Sequence, residues 1–229
     1  MNATAHALDR PVWESLASRH ASLSIGGALA KRYQRDVNLF ASALDDSPAA
    51  LDALAALVEP GEHVYVLQVP AIAVPPALRA TKTAPGVQMV ATHSIEAEPA
   101  DDIVTLGDVD ASEMLALAQL TQPGPFLART HVMGTFRGIR IDGRLAAMAG
   151  ERMRVPGYTE LSGVCTHPDF RGRGLARRLS AVVCAGIEAR GETPFLHAWK
   201  DNHPAITLYE QLGFRLRAEV NVAVLERAR

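Results

Sequence analysis

One stretch constrains the fold of this chain more than any other, the run from Tyr158 to Ile187. It opens with "YTELSGVCT", whose β-branched and apolar residues predict a strand. "THPDFRGRGLARRL" follows and carries two glycines, Gly172 and Gly174, just ahead of an apolar pattern. That pattern has helical spacing and predicts a helix that begins near Gly174 and ends at Gly191. Its apolar face comprises Leu175, Leu179, Val182, Val183 and Ile187.

The segments around this stretch alternate between the two periodicities. Strand patterns occur in "DIVTL", "PFLHAW" and "FRLRAEVNVAVL", and helical patterns occur in "ASEMLALAQL" and "HPAITLYEQLG". "GTFRGIRI" and "RLAAMAGERMRV" flank Asp142-Gly143, which predicts a hairpin because both turn residues tolerate positive φ. This order predicts an α/β (α+β) fold in which helices cover the faces of a mixed sheet.

The first hundred residues show fewer signals. Ser47 is a good N-cap for a helix that stops at Pro60-Gly61, and "HVYVLQV" and "GVQMVAT" are typical of strands. Residues 96–102 are acidic and contain a proline, which is typical of a linker. We therefore predict an additional N-terminal α/β region at 1–98, without visible chemistry, and a second domain at 99–229.

Bulk composition excludes several classes of function. The chain has 229 residues, a net charge of -2 and a pI near 6.4, which argues against general binding to nucleic acid or a membrane surface. Its two cysteines form neither a disulfide framework nor a metal-ligand pattern, so no metal is predicted. No secretory signal is recognised, and the most apolar segment is broken by prolines. A cytoplasmic protein is expected.

The glycines and arginines after the strand predict a binding site for phosphate. The first turn of a helix has unpaired N–H groups, glycines allow close approach, and arginines add forked donors. The alternative is an ordinary cluster of solvated arginines. A Walker loop is excluded because no Lys-Ser or Lys-Thr follows, and a dinucleotide fingerprint fails because residue 177 is Arg.

Two motifs in sequence carry a resemblance to a known family. Arg171, Gly174 and Ala176 fit the pattern R/Q-x-x-G-x-G/A, and "NHPAITLYEQLGF" is similar to N-x-x-A-x-x-L-Y-x-x-x-G-F. The chain from Asp102 onward thus resembles the GCN5-related N-acetyltransferases (GNAT), and looks closest to their FR47-like branch. The resemblance implies a mostly antiparallel sheet and acetyl-CoA as cosubstrate. The first hundred residues would be a degenerate second copy or a cap.

The resemblance also implies which residues hold acetyl-CoA. Val164, Cys165 and Thr166 would meet the pantetheine arm and the acetyl group. Asn202 would touch the coenzyme, a role compatible with capping the next helix. The cradle for the pyrophosphate would consist of Arg171, Gly172, Arg173, Gly174, Leu175, Ala176 and Arg177.

Acetyl transfer to an amine needs a base, a polarised carbonyl and an acid for the leaving thiolate. Tyr209 stands at the tyrosine of the family motif and is the expected acid, although a packed tyrosine is the alternative. Glu160 is ranked first as base and His197 second. The amide of Val164 is the expected donor to the thioester carbonyl, and Cys165 is expected to be a buried structural thiol rather than a nucleophile.

The sequence thus predicts an N-acetyltransferase that moves an acetyl group to a primary amine by direct attack in a ternary complex. A module that senses acyl-CoA without catalysis is the alternative. A third reading makes the N-terminal half a domain that recruits a protein partner. The acceptor, a small-molecule or peptide amine, and the state, monomer or homodimer, stay open.

Overall fold

The structure is a computed structural model that describes residues 6–98 and 100–228. Its α-helices are α1 Pro11–Ala17, α2 Pro48–Ala56, α3 Ala111–Thr121, α4 Leu175–Glu188 and α5 His203–Gln211. Its strands are β1 Ser24–Gly26, β2 Ala30–Tyr33, β3 Ala41–Ala43, β4 His63–Gln68, β5 Leu78–Ala91, β6 Ile103–Leu106, β7 Phe136–Ile141, β8 Arg144–Val155, β9 Tyr158–Thr166, β10 Thr193–Trp199 and β11 Phe214–Arg227.

Eight of these strands form one large sheet in the order β4-β11-β5-β10-β9-β8-β7-β6. All neighbours are antiparallel except β9 and β10, which run parallel. The strands β1, β2 and β3 form a small antiparallel sheet. The predicted fold class, a mostly antiparallel mixed sheet flanked by helices with an additional N-terminal region, is confirmed.

The N-terminal region shares the large sheet. The predicted boundary at residues 98 and 99 lies between β5 and β6 in the chain, yet β5 lies between β11 and β10 in the sheet. Residues 1–98 therefore supply β4 and β5 to the large sheet besides the small sheet. The division into two domains at this boundary stays a prediction.

The order of elements in the first half repeats part of the second half. The series β3, α2, β4, β5 parallels the series β9, α4, β10, β11, except that α5 lies between β10 and β11. A single parallel bridge joins Phe40 to Tyr65 at the start of β4, much as β9 and β10 are parallel at their start. The strand order β4-β11-β5-β10 also reads the same from its other end when β4 is exchanged with β10 and β5 with β11. This repeat supports the hypothesis of a degenerate second copy, which stays a prediction.

The apolar faces of the helices cover both sides of the large sheet. On one side, α4 buries Leu179 and Ile187 against strand residues such as Leu161. On the other, α1 buries Val12 and Leu16. Each of these side chains is almost fully removed from water, which contributes roughly 1.5–3 kcal/mol per residue.

Most predicted elements of the second half are confirmed. The hairpin turn has φ of 50° at Asp142 and 77° at Gly143. The helix α4 ends earlier than predicted, at Glu188, and Gly191 follows with φ of 74°. β5 begins at Leu78 instead of Gly86 because residues 78–85 pair with β11 alone, and a one-sided strand tolerates proline at position 85.

Candidate active site

β9 and β10 separate to form a fork. They are paired only at their start, where Tyr158 lies opposite Thr193 and Glu160 opposite Phe195. Beyond Glu160, β9 continues along β8 while β10 continues along β5. Backbone groups that face such a gap lack a strand partner and are available to a ligand.

A β-bulge lies in β9 just past the vertex of the fork. Ser162 pairs with Gly150 and Cys165 pairs with Met148, so two residues, Gly163 and Val164, face one residue of β8. Gly163 has φ of 62°, and a Cβ there would lie 2.9 Å from a ring carbon of Phe136. The position therefore requires glycine, and the bulge frees backbone from the ladder beside Val164.

A cavity of about 160 Å³ opens at the fork. Of the predicted site residues, it brings together Val164, His197, Asn202 and Tyr209. Glu160, Cys165, Thr166 and the residues of the predicted cradle do not line it. Its remaining wall includes Phe40, Tyr65, Leu67, Arg152 and the loop 123–125.

The predicted cradle is the exposed turn between β9 and α4. Gly172 has φ of 76° and Gly174 has φ of 72°, and a Cβ at either position would meet no atom within 4 Å. Gly174 is the N-cap of α4, and no side chain of the described ranges, 6–98 and 100–228, caps this end of the helix. The first-turn amides are therefore left without a side-chain partner there, as binding of a pyrophosphate requires.

The arginines around the cradle differ in their availability. Arg178 is bound to Asp102 through two hydrogen bonds of 3.0 and 2.6 Å. Those hydrogen bonds hold the pKa of Asp102 below its usual value. Arg171, Arg173 and Arg177 are exposed, so they remain accessible to an anion.

Glu160 is fully buried at the vertex of the fork. Its carboxylate accepts two hydrogen bonds from Arg152, from Nε at 2.7 Å and from Nη2 at 2.6 Å. A third comes from the amide of Met153 at 3.2 Å. Burial alone would raise the pKa of Glu160, but the charge of Arg152 and its hydrogen bonds, together with His197, lower that pKa to about 2. Glu160 is thus a weak base that has no face on the cavity.

His197 lies between Glu160 and Gln88. Its Nδ1 is 2.7 Å from Oε1 of Glu160, and its Nε2 is 3.0 Å from Nε2 of Gln88. Gln88 accepts a hydrogen bond from Arg217 at Oε1 and donates from Nε2 to the carbonyl of Leu8, which fixes the orientation of its amide. Gln88 must therefore donate to His197, so Nε2 of the imidazole accepts this hydrogen bond and Nδ1 donates to Glu160.

Tyr209 and Asn202 come from the helix α5 and its cap. Tyr209 is 9% exposed, and its ring packs edge-on against Phe214. Burial raises the pKa of its phenol, which therefore stays protonated at neutral pH. The Oδ1 of Asn202 accepts a hydrogen bond from the amide of Ala205 at 3.3 Å, so this residue caps the helix. Its contact with a coenzyme stays a prediction.

Cys165 presents its side chain away from the cavity. It is 6% exposed and belongs to the apolar cluster that includes Met114 and Phe136. Burial raises the pKa of this thiol to about 11, so it is neutral at physiological pH. Both observations fit the structural role expected for Cys165.

Several residues of the site were missed in the sequence. Arg152 and Gln88 lie in strands and carry no motif, and their burial follows from contacts between distant segments. Phe40 and Tyr65 belong to the half without visible chemistry. Gly163 did give a signal, because a glycine inside a strand often marks a bulge.

Two further findings concern the described ranges, 6–98 and 100–228. No group of three His, Cys, Asp or Glu side chains there is placed to hold a metal ion. None of their helices combines the length and the apolar character that crossing a membrane would take.

Comparison with known proteins gives a consistent result. A protein from Novosphingobium aromaticivorans, described as an acetyltransferase of the GNAT family, is 43% identical and has a TM-score of 0.93. The match covers 98% of this chain and 100% of that one. The FR47-like protein family matches residues 136–223. No curated protein matches the chain.

More distant solved structures show the same fold. A GCN5-related N-acetyltransferase from Kribbella flavida has a TM-score of 0.65 at 16% identity. The match covers 99% of this chain and 97% of the Kribbella chain. A Drosophila protein has a TM-score of 0.64 at 17% identity, and the match covers 86% of this chain and 73% of the Drosophila chain. With the forked strands and the motifs at Arg171 and Tyr209, the 43% identity over nearly the whole chain establishes that this protein belongs to the GCN5-related N-acetyltransferases and is an acetyltransferase.

Proposed function

We propose that the protein transfers the acetyl group of acetyl-CoA to a primary amine by direct attack in a ternary complex. The observation that carries the proposal is the fork between β9 and β10, which opens on a cavity lined by Val164, His197 and Tyr209. When bound, acetyl-CoA supplies an acetyl thioester. The residues present fit it, because the uncapped end of α4 and its two glycines leave room for a pyrophosphate.

Residues on two sides of the fork would hold the coenzyme. The amides of residues 172–177 bind the pyrophosphate, and the exposed arginines 171, 173 and 177 add charge. The backbone of residues 164–166 meets the pantetheine arm. The amide of Val164, beside the bulge, donates to the thioester carbonyl and polarises it.

The amine nitrogen forms the new bond to the carbonyl carbon, and the carbon–sulfur bond breaks with its electron pair on sulfur. Tyr209 holds a proton at its phenol oxygen and gives it to that sulfur. The buried environment that raises the pKa of Tyr209 keeps this proton in place until it is needed.

The proton of the attacking amine goes to His197 in this proposal, which reverses the ranking of Glu160 and His197 made from the sequence. Glu160 is buried away from the cavity and has a depressed pKa, so it acts by orienting the imidazole and stabilising its cationic form. The lone pair that would take this proton lies on Nε2 of His197, and at present it accepts a hydrogen bond from Gln88. Gln88 must therefore release it when the amine binds.

Two measurements on the purified protein test this function. Calorimetry with acetyl-CoA should show binding, and a thiol-release assay with pooled amines should show acetyl transfer. Absence of coenzyme binding contradicts the proposal. Binding without transfer to any amine would favour the sensing module instead.

A further inference from the structure

One residue in the wall of the cavity carries a group that the proposed reaction does not use. Arg152 lines the cavity, and its side chain is only 9% exposed. Its Nε and Nη2 donate to Glu160, whereas its Nη1 has no hydrogen-bond partner among the described residues. If Nη1 were sealed from solvent, it would be a buried donor without a partner, and it is not one. It is therefore accessible to solvent. The wall of the cavity thus includes an arginine with one guanidinium nitrogen that the described residues leave unpaired.

The position of this donor is well defined. Phe40 lies against the guanidinium group of Arg152, 4.9 Å from ring centre to carbon. The bidentate contact with Glu160 fixes the plane of the group from the other direction. A Cβ on Gly124 would be 3.8 Å from Nη1, so Nη1 lies beside the loop 123–125, which also lines the cavity.

An apolar surface adjoins the donor. Tyr65 packs edge-on against Phe40 with ring centres 6.0 Å apart, and both rings line the cavity. Leu67 and Val222 extend this surface on the neighbouring strands. Three members of this surface, Phe40, Tyr65 and Leu67, come from the half of the chain without recognisable motifs.

Building on the proposed function, we propose that the acceptor is a free α-amino acid with an apolar side chain. Its carboxylate accepts hydrogen bonds from Nη1 of Arg152, because guanidinium donors bind carboxylates more strongly than neutral oxygens. Its side chain packs on Phe40, Tyr65 and Leu67. A free α-amino acid carries its carboxylate one carbon from the amine, so both groups can enter this one cavity, whereas a polypeptide N-terminus has a neutral amide at that place.

Three acceptors with the same aromatic body test the assignment on the unaltered protein. L-phenylalanine has the carboxylate, L-phenylalaninamide has a neutral carbonyl, and phenethylamine has neither. We expect kcat/KM for L-phenylalanine to exceed both others by about tenfold to a hundredfold, the range for a hydrogen bond to a charged group. Glycine, which lacks the apolar side chain, should also be a poorer acceptor than L-phenylalanine.

Equal or faster transfer to phenethylamine or the amide would overturn the assignment of the carboxylate. So would acetyl-CoA binding without transfer to any of the three acceptors. Failure to bind acetyl-CoA is a different result, because it contradicts the proposed function itself.

The variant Arg152→Lys tests the donor directly. Lysine keeps a cation beside Glu160 but loses the second nitrogen of the fork. The ratio of kcat/KM for L-phenylalanine over phenethylamine should fall to about one to two, whatever happens to the overall rate. Arg140→Lys is the matched control, because Arg140 also pairs with two carboxylates, Asp110 and Glu113, and does not line the cavity. An unchanged ratio in Arg152→Lys overturns the proposal.

Discussion

Replacing Glu160 by glutamine removes the negative charge at the centre of a buried polar network. The carboxylate of Glu160 binds Arg152 through two hydrogen bonds and His197 through one. Glutamine has nearly the same shape but leaves Arg152 without a counter-charge in the interior. The free energy of unfolding should therefore fall, and the size of the fall should depend on pH.

The depressed pKa of Glu160 gives the size of the fall in the free energy of unfolding. A drop from 4.5 to about 2 corresponds to about 3 kcal/mol of stability, at about 1.4 kcal/mol per pKa unit. Because the pKa is lower in the folded state, this stability is fully present above the unfolded value and is lost as the pH falls toward the folded value. We expect Glu160→Gln to cost about 3 kcal/mol at pH 7 and about 2 kcal/mol at pH 3.5.

Urea unfolding of the parent and of Glu160→Gln at both pH values measures this difference. Glu226→Gln is the control, because Glu226 pairs with Arg79 on the surface, where an ion pair contributes less than about 1 kcal/mol. A cost below about 1 kcal/mol for Glu160→Gln at pH 7, or a cost that grows on acidification, would show that the charge of Glu160 does not stabilise the fold as argued.

Four further predictions concern the site and the sheet. Tyr209→Phe should bind acetyl-CoA normally but lose roughly 10²–10⁴-fold in turnover, the range for general acid catalysis; an unchanged rate contradicts its role as acid. Gly174→Ala places a side chain at φ of 72°, costs about 1–2 kcal/mol of backbone strain and should weaken acetyl-CoA binding by calorimetry. Cys165→Ala should keep turnover in the thiol-release assay, whereas its loss would support an acetyl-enzyme. Residues 99–229 expressed alone should be insoluble, because β10 and β11 lose their partner β5; a soluble, active fragment would refute this.

The second half of the chain was largely predictable because its signals are local. The turn at Asp142-Gly143, the cap at Asn202 and the glycines before α4 act through the φ angles and hydrogen bonds of neighbouring residues. Such preferences can be recognised without knowing what packs nearby. The place of β5 in the sheet, between β11 and β10, was not predictable. Pairing between strands more than a hundred residues apart leaves no local pattern in the sequence.

The roles in the site divide in the same way. Tyr209 and Gly174 could be proposed from the sequence because they belong to short motifs whose spacing reflects one helix each, and their roles stay predictions. The burial of Glu160 against Arg152 could not be predicted, because a strand pattern cannot tell a carboxylate in a cleft from one in a buried ion pair. Which of Glu160 and His197 is the base stays a prediction. Burial and pairing, which decide the pKa of Glu160, come from β8 and β10 together.

The amino-acid sequence by itself determined the family, the helices and strands of the second half and the glycine-rich turn before α4. These depend on backbone preferences over a few residues. Only the tertiary structure decided that the first half completes the sheet, that Gln88 and Glu160 hold His197, and that Arg152 lines the cavity with one nitrogen unpaired among residues 6–98 and 100–228. Those features require surfaces from distant segments to meet, and the burial that follows sets both the charges and the shape of the site.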